Sequence, residues 1–229
     1  MDDADLDRAL LAALFEQAAL RGWAEASIAD AARAAGVPLG RVRARFPGKG
    51  AALLRLGLLA DQRALAAGTP DETPRERVFD MLMSRFDALQ PHRDGVLALL
   101  RALPGDPSGA ALLYAATLRS MRWLLDAAGV PTGGLAGQLR THGLLAVWLR
   151  GLQAWRDDES ADLSATMAAV DKALDQAVRA ESWLPFRPSS ASAAADAFEG
   201  TDDAVPDLFS GNPGEPPALG ASGSSPIVM

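Results

Sequence analysis

The chain has 229 residues, a formal charge of −7, no cysteine, and a hydrophobic fraction of 49% against only 6% aromatic. Disulfides and thiolate metal sites are excluded, and an interior built mainly from Ala, Leu and Val favours closely packed helices over a β-sandwich. No apolar run approaches the ~18 residues of a membrane span, and acids stand at the N-terminus where a signal peptide carries basic residues, so an all-α, cytoplasmic protein without an integral membrane segment is expected.

A first helix is predicted over residues 5 to 20, with Leu6, Leu10, Leu14 and Ala18 on one stripe and Leu11 and Phe15 widening it. Asp2, Asp3, Asp5 and Asp7 favour its positive N-terminal end. Arg21-Gly22-Trp23 closes it, and Trp23 reads as a core residue over the junction with the next segment. There Ser27 supplies the N-cap of an alanine-rich helix, and Gly36 sits where a helix C-terminus needs a residue tolerant of positive φ. Val37 anchors a tight turn, Pro38 stands at the first position of a third helix, and Leu39, Val42 and Phe46 recur at helical spacing. The interior of this three-helix bundle is expected to hold Leu10, Leu14, Phe15, Trp23, Ile28, Ala32, Val37, Val42 and Phe46.

Between residues 31 and 60 lie six basic side chains (Arg33, Arg41, Arg43, Arg45, Lys49 and Arg55) and no acidic ones. A helix-turn-helix whose second helix carries Arg41, Arg43 and Arg45 meets the needs of major-groove binding, because phosphates attract the charge and an α-helix fits the groove. The alternative is a solvated helix face; the charge falling on the element that would enter the groove favours DNA. Pro47-Gly48-Lys49-Gly50 is not a P-loop, since the earlier glycine is missing and no Ser or Thr follows the lysine, so no nucleotide or other cofactor is implied.

In the body, a helix over residues 50 to 67 carries Leu53, Leu54, Leu56, Leu58, Leu59 and Leu65 and ends at Gly68-Thr69-Pro70. Thr73, Pro74 and Glu76 form a capping-box pattern for a helix reaching residue 90, which buries Val78, Met81, Leu82, the stem of Arg85, Phe86 and Leu89. Pro91-His92-Arg93-Asp94 reads as a break, followed by a short helix over 95 to 103, a turn at 104 to 107 and a helix over 108 to 128. The helix over 135 to 156 is apolar almost all round and bears His142, read as a hydrogen-bonded core or rim residue. Asp157-Asp158-Glu159 reads as a solvated loop, and Asp162 as the cap of a last helix ending at Trp183. These last two helices, alanine-rich and joined by a short loop, are the candidate seam of a four-helix bundle with a second subunit; internal packing alone is the alternative. Leu112, Met121, Trp123, Leu145, Trp148, Leu152 and Met167 either line an apolar ligand pocket or fill the core. No nucleophile motif, phosphate loop or histidine-carboxylate pair at motif spacing is present, so nothing speaks for an enzyme or a metal site. Residues 188–229 lack Lys and Arg, carry six acids, and read as a disordered acidic low-complexity tail.

Residues 8 to 56 resemble the DNA-binding domain of the TetR family of transcriptional regulators. The family's Ser or Thr cap, its alanine before the turn, Ala-Gly-Val at the turn, the glycine three residues on, and the closing Phe and Lys are matched by Ser27, Ala32, Ala35-Gly36-Val37, Gly40, Phe46 and Lys49. Two positions depart: Arg43 replaces the usual phosphate-contacting Tyr, and Pro38 the usual Ser or Thr. The resemblance implies a helix-turn-helix DNA-binding domain (residues 1–50), a helical regulatory and dimerisation domain (51–187), and a homodimeric repressor on double-stranded DNA released by a small apolar effector. Ser27, Pro38, Leu39, Gly40, Arg41, Arg43, Arg45 and Lys49 would then meet DNA, Lys49 at a phosphate beside the next helix's opening amides. Residues 74 to 178 are also similar to the COQ9 family of ubiquinone biosynthesis: Arg101 to Pro104, Trp123, Asp126 to Gly129, Trp155-Arg156-Asp157-Asp158, Thr166 and Leu174 follow its order. That likeness implies a lipid-binding accessory protein and stands as the alternative function.

Overall fold

Side-chain caps encoded in the sequence set most of the helix starts. In the computed structural model, which describes residues 1–67, 69 and 71–182, helix α1 (Asp3–Arg21) begins with Asp2 Oδ1 accepting the Asp5 amide at 2.7 Å. Helix α2 (Ile28–Ala34) begins at Ser27, whose Oγ accepts the Asp30 amide, and Gly36 turns the chain at φ 65. Helix α3 (Leu39–Arg45) follows with extended Pro38 as its N-cap, one residue outside the first helical position expected of it. Helices α4 (Lys49–Leu65), α5 (Pro74–Leu89), α6 (Arg93–Ala102), α7 (Pro107–Ala127), α8 (Gly134–Asp157) and α9 (Ser164–Ser182) complete the set among the described residues. The Thr73/Glu76 capping box is formed in full.

Two segments differ from the sequence reading. Arg93 and Asp94 open α6 instead of interrupting the chain; the interruption is a single 3-10 turn, Gln90–His92, in which Pro91 sits where its missing N–H leaves no bond unmade. The start of α9 also differs. Asp162 accepts the Ser164 amide at 3.2 Å, but the main cap is Asp158, which is only 4% exposed and not a solvated loop residue. Its Oδ2 accepts the amide and hydroxyl of Thr166, each at 2.8 Å, and its Oδ1 accepts the amide and hydroxyl of Ser160. Burial opposes the charge, yet these four donors outweigh it and hold the Asp158 carboxyl well below the usual carboxylate range. Trp183 and the acidic tail lie outside the described residues.

The α1 stripe is buried as expected, and Trp23 packs on Phe15 with ring centroids 5.6 Å apart. Ile28 alone of the expected bundle interior is only half-buried. On its other side α1 meets α6 so closely that a Cβ at Gly95 would overlap the backbone of Phe15. In the body, Phe86 stacks on Trp148 at 4.4 Å, and α8 and α9 pack along each other with Gly151 admitting Val170. Arg93 closes the C-terminal end of α8 by donating to the carbonyls of Trp155, Arg156 and Asp158. No helix among the described residues is long and apolar enough to cross a membrane.

Candidate nucleic-acid interface and ligand cavity

The two-turn helix α3 is held from beneath by Val42 and Phe46, both almost fully buried, which leaves Pro38, Leu39, Gly40, Arg41 and Arg43 on the outside. Arg43 donates to the Pro47 carbonyl at 3.1 Å, a local contact that leaves the side chain exposed. Arg41 reaches α1: its Nη2 lies 2.9 Å from Asp3, and its Nη1 donates to the Met1 carbonyl. Arg45, expected to face the groove, instead turns toward α1. It donates through Nε and Nη2 to Asp7 and through Nη1 to Asp3 at 3.1 Å, and the hydrogen bonds to Asp7 raise its pKa. The cause is Asp7 itself, 1% exposed: a buried carboxylate needs cationic partners, and Arg45 and Arg55 provide them.

Lys49 also has a different task from the phosphate contact expected of it. Its Nζ donates to the carbonyls of Trp23 (2.8 Å) and Ala24 (3.2 Å) and lies 5.2 Å from the centre of the Trp23 ring, so it clamps the turn between α1 and α2. The Ser27 hydroxyl is used as the α2 cap, and its amide donates to Gln17 at 3.3 Å. Asp3 and Asp7 were missed as the partners that hold Arg41, Arg45 and Arg55. Asp7 precedes Leu10, Leu11 and Leu14 by three, four and seven residues and so shares their buried stripe, a pattern that signals an ion pair.

Of the seven candidate pocket residues, Leu145, Trp148 and Leu152 line a cavity of about 210 Å³ bounded by α4 to α8. The other four do not. Met121 is fully buried core, Trp123 is 61% exposed, Met167 is half-buried elsewhere, and Leu112 packs toward Gly50. The reason is the register of α7, which turns Leu113, Tyr114 and Thr117 to the cavity and spends Met121, Leu124 and Leu125 on the core. Arg85 is buried entirely, not by its stem alone. Its Nη1 pairs with Asp61, whose other oxygen accepts the Ser120 hydroxyl at 2.6 Å, and its guanidinium stacks 4.9 Å from the Trp148 ring centre. Burial pushes the Arg85 pKa down while Asp61 opposes the shift. His142 lies on the exposed side of α8, its Nδ1 2.8 Å from the Gln138 carbonyl. Among the described residues, no group of three or more His, Asp or Glu is placed to hold a metal ion.

No protein-family model matches the sequence, and no curated protein matches it. Solved structures do. The crystal structure of the TetR transcriptional regulator from Nitrosomonas europaea ATCC 19718 superposes with a TM-score of 0.63 at 22% identity, covering 76% of this chain and 98% of that one. A TetR transcriptional regulator from Rhodococcus sp. RHA1 gives 0.53 at 16% identity, covering 78% and 98%. A tetR-family regulator from Streptomyces coelicolor gives 0.52 at 19% identity, covering 86% and 97%. The chain therefore has a TetR-like fold over most of its length, as the helix-turn-helix residues led one to expect.

Proposed function

We propose that this protein is a DNA-binding transcriptional regulator of TetR type, a repressor acting as a homodimer and released by a small apolar effector. Residues 1–50 read DNA, and residues 51–187 pair the subunits and hold the effector. The observation that carries the reading is the outer face of α3: Leu39, Gly40, Arg41 and Arg43 stand exposed on the second helix of a helix-turn-helix within a TetR-like fold. Gly40 has no neighbour within 4 Å of where a Cβ would stand, so backbone can approach a groove wall there, with Pro38 and Leu39 beside it. Arg41 and Arg43 meet phosphates or base edges, while Arg45, Lys49 and Ser27 position the helix from behind. Support for a dimer comes from exposed apolar side chains on α8 (Leu135 and Leu139) and from Val178 on α9. The lipid-accessory reading of residues 74 to 178 draws no support from the three structures named above, each described as a TetR regulator.

The test is duplex binding across a salt series with the wild type and an Arg41→Glu/Arg43→Glu variant. Wild-type affinity should fall steeply with salt, and the variant, altered only at exposed positions, should keep its helicity and lose binding. A variant that binds as well as wild type refutes the assignment of α3. A wild type that ignores duplex DNA and carries co-purified lipid supports the alternative.

A further inference from the structure

The cavity between α4 and α8 is walled almost wholly by aliphatic side chains, among them Leu53, Leu56, Leu89, Val96 and Leu99. Three polar side chains interrupt that wall: Tyr114 at its exposed edge, Thr117, whose hydroxyl donates to the Leu113 carbonyl at 2.8 Å, and Arg85. Arg85 lines the cavity, is 5% exposed, and makes a single side-chain pairing, with Asp61, while its Nε is buried with no hydrogen-bond partner. A guanidinium has five N–H donors, so burial leaves this one undersatisfied, and an unmade buried hydrogen bond is costly. At the same time the charge is already balanced: Asp61 neutralises Arg85, and Ser120 donates to the second Asp61 oxygen. An anion entering the cavity would be a buried charge without a counter-ion, and a hydrocarbon would leave the donors unpaired.

We infer that the cavity binds a small neutral molecule with an apolar body and one hydrogen-bond acceptor, such as a ketone, ester or lactone, whose carbonyl oxygen accepts from Arg85. This deepens the effector reading above. The size follows from the volume: a ~150 Å³ apolar cavity holds benzene, so one of about 210 Å³ admits a somewhat larger body, on the order of eight or nine non-hydrogen atoms by the same scaling. Tyr114 and Leu149, each about half exposed, also line the cavity and mark its rim, which gives a way in.

Three probes of equal heavy-atom count separate the possibilities: acetophenone, isopropylbenzene and benzoate, titrated by calorimetry into the full-length protein without DNA. Acetophenone should bind at least tenfold more tightly than isopropylbenzene, and benzoate should show no saturable binding at neutral pH. Replacing Arg85 risks unfolding by stranding Asp61, so the site is tested by occlusion. Gly57 lines the cavity from α4 and a Cβ there meets nothing within 4 Å. Gly57→Leu should fold with an unchanged or higher melting temperature and lose acetophenone binding. Equal affinity for acetophenone and isopropylbenzene, preference for benzoate, no binding of any probe, or undiminished acetophenone binding by folded Gly57→Leu each overturns the inference. Because no DNA is present, any of these failures leaves the DNA-binding assignment to be judged on its own test.

Discussion

Asp7 and Asp3 show how two acids on one helix acquire opposite roles from burial alone. Asp7 is inaccessible and joins α1 to Arg45 of α3 and Arg55 of α4, so its charge is part of the fold. Asp7→Asn should lower stability by ~2 kcal/mol, less than a fully buried pair would lose, because both arginines remain partly solvated. An unchanged urea midpoint would refute this role. Asp3 is exposed and meets Arg41 and Arg45 at the surface, where on the proposed function it would compete with phosphate for the same guanidinium groups. Asp3→Asn should leave the urea midpoint in place and tighten nonspecific duplex binding at low salt, with the gain fading as salt screens the pair. Equal affinity of wild type and variant at low salt would show that Asp3 does not compete. The local signals here were readable in the sequence: Ser27 as cap, Gly36 at positive φ, Trp23 in the core. The tasks of Arg45 and Lys49 were not, because their partners lie 38 and 26 residues away and only packing brings them together.

Helix starts and registers were legible wherever the cap is adjacent in sequence, as at Thr73 and Glu76, and misread where it is remote. Asp158 caps Thr166 across eight residues, a span bridged because Leu163 takes φ 54 and buries its side chain. Its donors hold the carboxylate in the folded state, so its pKa lies below the unfolded value of ~3.9. The stability it adds is fully present above that value and drains away as pH falls below it toward the depressed folded value. Asp158→Asn should therefore cost ~1.5 to 3 kcal/mol at pH 7, and the gap in urea midpoint from wild type should narrow below about pH 4. A gap that stays constant with pH would remove the carboxylate from the account. On α7 the apolar period predicted a helix correctly yet not its rotation, since Leu112, Leu113, Met121 and Trp123 are equally apolar and tertiary contacts alone decide which face the cavity.

At the scale of the molecule, the exposed apolar side chains of α8 and the end of α9 form the surface on which pairing should depend. Ala173 is buried against its own subunit and would report folding, so the informative positions are Leu139 and Val178, 45% and 52% exposed. On the proposed function the wild type should sediment as a dimer at micromolar concentration and Leu139→Glu with Val178→Glu as a folded monomer; a wild-type monomer would rule the dimer out. The close approach at Gly95 has a kinematic consequence. α6 borders the cavity through Val96, Leu99 and Leu100, and at Gly95 it lies so close to the backbone of Phe15 that a Cβ would not fit between them. α1 in turn grips Arg41 and Arg45 through Asp3 and Asp7. Cavity wall, α6, α1 and α3 thus form an unbroken chain of contacts, and on the proposed function a displacement at the wall would reach Arg41 as movement of a whole helix.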